Sequence, residues 1–131
     1  MKIVLSLTIL CIGLRAISSA EFYSTVFDTI DVDTILSNKR LTDQYIACLL
    51  DQGVCTADGR GLRRLLPEAI ATLCEKCTTI QKRNARKVLR YIKERRPEVW
   101  DLFVQKYDPT GQYMQNFEYF ISGVDDSSSY Y

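Results

Sequence analysis

Five cysteines and no histidine bound the chemistry open to this 131-residue chain. Cys48, Cys55, Cys74 and Cys77 fall in one stretch, the last two within the string LCEKC at residues 73–77. Thiols three positions apart serve as half of a zinc site, as a redox-active dithiol or as a covalent staple. The lack of histidine removes Ser-His and Cys-His nucleophile pairs, His-Asp calcium lipases and His-liganded catalytic zinc. Carboxylates remain, but no pair of them is placed in an apolar setting that would drive their pKa values apart. The sequence reads as non-catalytic, with no cofactor and no metal.

The redox compartment decides what the thiols become. Residues 1–20, MKIVLSLTILCIGLRAISSA, open with one lysine, continue as the mostly apolar run Ile3–Leu14 and end on Ser18-Ser19-Ala20. This is the pattern of a secretory signal peptide cleaved after Ala20. The run is shorter than the roughly 20 residues that span a bilayer, and Arg15 closes it, so no stable membrane insertion is expected. Cleavage removes Cys11 and leaves residues 21–131 as one domain with a modest core and an even set of cysteines in an oxidising compartment. Lys2 and Arg15 leave as well, which brings the 17 basic and 16 acidic residues of the whole chain close to balance. Nothing in that charge marks a nucleic-acid partner.

The elements that position the cysteines read as helices. Thr56 can cap a helix with Asp58 in its first turn. Leu62, Leu65, Leu66, Ala69, Ile70 and Leu73 then form a single apolar stripe, with Pro67 predicting a bend or local break. A second helix is predicted over Thr79–Arg95, with Ile80, Val88, Leu89 and Ile92 inward, Ala85 beside them, and a basic opposite face from Lys82 to Arg96. Pro97 starts a shorter helix carrying Val99, Trp100, Phe103 and Val104. DPTG at 108–111 is a turn, and the spacing from Tyr113 to Val124 predicts a closing helix, followed by a loose tail over 122–131. Upstream, Thr34–Ser37 and Thr42–Leu50 read as short helices joined at Asn38-Lys39-Arg40, the second capped by Thr42 and stopped at Gly53. The chain is all-α, with about six short helices.

This frame decides between the uses of LCEKC. A redox dithiol needs a strand before the pair and a helix after it, and a zinc knuckle needs a spacing of about two to four residues where Cys48 and Cys55 are separated by six. Cys74 and Cys77 instead lie around the end of a helix, where i and i+3 Cα atoms are about 5–6 Å apart, within disulfide reach. Cys48 and Cys55 bracket the turn LLDQGV. Two bonds, Cys48–Cys55 and Cys74–Cys77, are expected as clips at helix corners, each contributing about 2–2.5 kcal/mol. Such clips leave the packing between helices free to open.

The pattern Cys48-x6-Cys55-x18-Cys74-x2-Cys77, with the strings YIACLLDQGVCTADG, LLPEAIATLCEKC and KYDPTG, resembles the insect chemosensory (OS-D) protein family. The resemblance runs from FYSTVFDTIDVDTILSNKRL to about Tyr119, and differs from the family pattern at Val54, where proline is common, and in the aromatic tail. The related odorant-binding proteins carry six cysteines with a C-x3-C step, which this chain lacks. The resemblance implies a secreted six-helix, α-superhelical globule with sequential disulfides around an apolar channel. It also implies binding of long-chain fatty acids, esters, alcohols and similar semiochemicals without catalysis, in a fluid such as sensillar lymph or haemolymph. By motif it places Tyr45, three before the first cysteine, and Trp100, in PExW, at the channel.

Of the inward stripes, Leu49, Leu66, Ile70, Ile80, Val88, Leu89 and Ile92 are the candidate channel wall. The basic face has two readings, a solvated helix side or a cation among Arg86, Arg90 and Lys93 that meets a ligand carboxylate. Burying a methylene is worth about 0.8 kcal/mol, so a sixteen-carbon chain gains more than ~10 kcal/mol before the costs of ordering it. Micromolar affinity, about −8 kcal/mol, is expected of a monomer. A secreted helical developmental or extracellular interaction module with a solid core and no small-molecule ligand is the alternative.

Overall fold

The computed structural model describes residues 21–123; the signal-peptide reading and the tail from residue 124 onward lie outside them. The described residues hold a short 3-10 helix, Thr25–Thr29, and six α-helices: α1 Val32–Ser37, α2 Lys39–Leu49, α3 Ala57–Thr72, α4 Thr79–Arg95, α5 Pro97–Tyr107 and α6 Met114–Ser122. No strand occurs among them.

Local chemistry fixes the helix starts. Asp31 caps α1 by accepting from the Thr34 amide, and Asn38 caps α2 by accepting from Leu41. Thr42 is therefore not a cap. It lies inside α2 at 3 % exposure and donates its hydroxyl to the Ile35 carbonyl at 2.6 Å, tying α2 to α1. Asn38 has the extended backbone of a cap, φ −114° and ψ 106°, while Thr42 already lies inside the helix, so only Asn38 itself separates the two helices. Thr56 caps α3 as expected, and Thr78 forms a capping box with Gln81 at the start of α4. Pro97 opens α5 at a position where its missing N–H costs nothing.

The helix ends bring two corrections. Asp51, at φ 58°, turns the chain after α2, with the Gln52 amide returning to the Ala47 carbonyl at 2.7 Å. The stop precedes Gly53. Helix α3 runs unbroken through Pro67, which sits on the exposed side where the carbonyl it leaves unpaired is open to water. Its end is sharper: Leu73 and Cys74 both take left-handed backbone, φ 54° and 62°. After α5, Gly111 at φ 72° completes the DPTG turn, and buried Asp108 accepts from the Tyr113 amide.

The two disulfides form as the spacing indicated, with Cα separations of 4.9 Å for Cys48–Cys55 and 5.0 Å for Cys74–Cys77. The first clamps α2 to the start of α3. A Cβ on Gly59 would lie 2.9 Å from the Cys48 sulfur, so only glycine admits that approach.

Helix α4 is the central member and packs on α1, α5, α6 and the 3-10 helix, while α3 packs on α2 and α5. A solid core gathers where α5 and α6 meet Leu50, Ile70 and Ile92. There Trp100 stacks on Phe103 at 6.2 Å between ring centres and meets Phe117 edge-on at 6.4 Å. Between α3 and α4, the core gives way to a hollow.

Candidate functional site

The hollow is a cavity of about 210 Å³. The whole stripe of α3 lines it: Leu62, Leu65, Leu66, Ala69, Ile70 and Leu73. Most of these are only half-buried although they face inward, because they border empty space instead of packed atoms. Facing them on α4 are Gln81, Asn84, Ala85, Val88, Leu89 and Ile92, spaced i, i+3, i+4, i+7, i+8, i+11. Val32, Ile46, Leu49 and Leu50 contribute from α1, α2 and the corner after it, Val99 and Phe103 from α5, and Phe117 and Phe120 from α6. The N-terminal segment closes one side with Tyr23, Phe27 and Ile30, and the second disulfide forms part of the floor.

Hydrogen bonds hold that N-terminal segment in place. The Tyr23 amide donates to the Lys76 carbonyl at 2.8 Å and the Gln81 side chain to the Ser24 carbonyl at 2.9 Å. The Thr78 hydroxyl, which also caps α4, donates to Asp28 at 2.8 Å. The Tyr23 hydroxyl donates to Glu68 at 3.0 Å; burial and then this carboxylate push its pKa up to about 12. Glu68 in turn is held below the usual carboxylate range, first by the ammonium of Lys76 and then by Tyr23.

Of the residues expected at the wall, Leu49, Leu66, Ile70, Val88, Leu89 and Ile92 come together around the cavity. Ile80 does not: it is 39 % exposed on the outer side of α4. One position further, Gln81 carries the inward stripe. Trp100 is buried one layer behind, against Phe103 and Phe117, whose own side chains reach the cavity. The cause is helical geometry, since Val99 and Phe103 share the inward face of α5 and Trp100 is turned about 100° from Val99. Tyr45 is half-buried and likewise not part of the wall.

On the basic face of α4, Arg83, Lys87 and Arg95 are exposed, while three other cations turn to α6. Arg86 donates to the Phe120 carbonyl at 3.1 Å and its guanidinium lies 4.8 Å from the Phe120 ring centre. Arg90 donates to the carbonyls of Ile121 and Gly123 at 2.8 and 2.9 Å, and Lys93 pairs with Glu118. Arg86 and Arg90 grip the C-terminal end of α6, where the carbonyls and the helix dipole attract positive charge, while Lys93 holds the middle of the helix through Glu118. None of them lines the apolar cavity.

Many of the wall residues outside the candidate set lie on the apolar stripes that the spacing predicts, among them Leu62, Leu65, Ala69 and Leu73. Tyr23, Phe27 and Ile30 gave no periodic signal, because a 3-10 helix and extended chain carry them. Among the described residues no group of His, Cys, Asp or Glu is placed to hold a metal ion, and no helix is long and apolar enough to cross a membrane.

Comparison with known proteins agrees with this architecture. The model of the insect pheromone-binding family, A10/OS-D, matches residues 23–115. The chain is 44 % identical over 117 residues to ejaculatory bulb-specific protein 3 of Drosophila melanogaster, covering 89 % of this chain and 91 % of that one. It is 44 % identical over 98 residues to allergen Tha p 1 of Thaumetopoea pityocampa, covering 75 % and 78 %. A solved structure of a chemosensory protein in complex with bromo-dodecanol superposes with a TM-score of 0.69 at 36 % identity, over 73 % of this chain and 96 % of that one. The cysteine spacing and the local strings thus have the meaning they suggested: the chain belongs to the insect A10/OS-D family of chemosensory proteins, which are binding proteins and not enzymes.

Proposed function

We propose that this protein is a secreted carrier that takes up one long-chain apolar molecule, such as a fatty alcohol, ester or acid, in the cavity between α3 and α4. The observation that carries this reading is the cavity itself. A domain this small ordinarily closes its core, because every unfilled volume forfeits dispersion contacts. Here two full helical stripes face each other across a gap and are lined almost wholly by carbon. A water there would find few partners, so the space suits an acyl chain.

At about 210 Å³ the cavity is smaller than the ~300–1,000 Å³ usual for small-molecule sites, so a long chain must displace part of its wall. Disulfides confined to corners permit that movement. The structural relative bound to bromo-dodecanol supports a linear guest of this kind. Residues 1–20 serve as the signal peptide of this reading and residues 21–131 as the carrier domain.

The test is displacement of the fluorescent probe N-phenyl-1-naphthylamine by C12–C18 alcohols, esters and acids, with the disulfides intact. Micromolar displacement is expected. Ala69→Phe, which places a ring in the hollow, should weaken it about tenfold or more without lowering the melting temperature. Failure of every chain length to displace the probe would leave the solid interaction module as the better reading.

A further inference from the structure

We infer that Asn84 is the residue that holds the ligand's head group, and that it selects chains ending in an uncharged oxygen able both to donate and to accept a hydrogen bond, a terminal hydroxyl above all. The inference rests on the carrier reading and refines it. Asn84 stands on the inward stripe of α4, one turn after Gln81 and one turn before Val88, and lines the cavity. Polar side chains at such positions are scarce here: Tyr23 and Gln81 are the others with hydrogen-bonding groups of consequence. Both are already engaged. Tyr23 donates to Glu68, while Gln81 donates to the Ser24 carbonyl and accepts from the Thr78 amide. Among the described residues the Asn84 side chain has no protein hydrogen-bond partner.

The Asn84 side chain is half-buried and its amide is not sealed from water, so its two donors and its acceptor oxygen stand free at the edge of a carbon-lined space. A ligand oxygen brought to that amide takes the place of water. A hydroxyl satisfies both halves of the amide, an ester carbonyl only the donor half, and a haloalkane neither. The wall also contains no Lys, Arg, Asp or Glu, so an ionised carboxylate drawn inside would leave water without a compensating charge. The order of preference should therefore be alcohol, then ester, with the ionised acid and the bare chain behind.

The experiment displaces N-phenyl-1-naphthylamine from the disulfide-intact protein with 1-dodecanol, 1-chlorododecane and laurate at neutral pH, for the wild type, Asn84→Ala and Asn84→Ser. The wild type should favour the alcohol over the chloride by about tenfold. Asn84→Ala should abolish that preference by weakening the alcohol alone, and Asn84→Ser, which keeps a donor and an acceptor, should restore part of it. Equal weakening of alcohol and chloride in Asn84→Ala, an undiminished preference, or laurate as the tightest ligand of the wild type would overturn the assignment while leaving the carrier reading in place. A wild type that releases the probe to none of the three would overturn the carrier reading, and the head-group site with it.

Discussion

The Arg90 guanidinium donates to the main-chain carbonyl of Ile121 at 2.8 Å, reaching from the centre of α4 to the last turn of α6. Its second arm takes the Gly123 carbonyl, so a single side chain closes the end of the helix that carries Phe117 and Phe120 into the cavity wall. Hydrogen bonds from a charged donor are worth about 1.5–3 kcal/mol when part-buried. Arg90→Gln should destabilise the protein by about that amount, measured by urea unfolding. Arg90→Lys, which keeps the charge but loses the fork, should recover only part. An unchanged midpoint for both variants would mean that α6 is held by its apolar face alone.

The division between solid core and hollow predicts unequal costs for equal truncations. Phe117 is 3 % exposed and touches Trp100 and Phe103, so Phe117→Ala should cost about 3–5 kcal/mol. Leu65 borders the cavity and stands apart from the core cluster. Leu65→Ala should cost less than the ~2–5 kcal/mol of a core leucine, because most of the contacts it would lose are absent already. Thermal or urea unfolding of the two variants separates the cases.

That division was only half legible in the sequence. The α3 stripe and the limits of α4 could be read from spacing, because each apolar side chain there repeats at helical intervals. What spacing does not report is the distance between two facing stripes: Leu65, which meets only the gap, and Ile70, which also packs into the core, have the same signature. The inward start of α4 was misread at Ile80 because hydropathy favours it over its neighbour. The helix turns Gln81 and Asn84 inward instead, and these polar residues give no apolar signal. The clamp on α6 was equally hidden, since Arg86, Arg90 and Lys93 look like any solvated face until α6 is folded against them. Capping at Asn38 was readable, but Thr42 is as good a cap by type, and only the chain path decides between them.

The two disulfides should differ in what they protect. Cys74 and Cys77 line the cavity and close the corner where Leu73 and Cys74 hold left-handed backbone, a conformation that costs roughly 1 kcal/mol or more per residue. Cys48–Cys55 clamps α2 to α3 away from the wall. Replacing either pair by serine should cost about 2–2.5 kcal/mol by loop entropy alone. Only loss of the Cys74–Cys77 pair should also weaken probe binding, since the corner can then relax and carry Leu73 out of the wall. Equal effects of both replacements on binding would show that the corner geometry does not shape the cavity.

Tyr23 gives the structure a specific alkaline weakness. Its phenol is partly desolvated and donates to Glu68, which raises its pKa to about 12 from the value near 10 of an unfolded chain. Between those values the folded state retains a proton that the unfolded chain has lost. The stabilisation from this group is therefore complete below about pH 10 and declines as pH rises through about 12. Denaturation midpoints at about pH 8 and about pH 11 should fall less in Tyr23→Phe than in the wild type, because the variant has no proton to lose at that site. Tyr23 also lines the cavity, on the segment pinned to Lys76 and Gln81. Ionising it places a second negative charge beside Glu68 and pushes the segment outward. Probe affinity in the wild type should thus fall over the same interval, and a matching fall in Tyr23→Phe would assign the effect to another group.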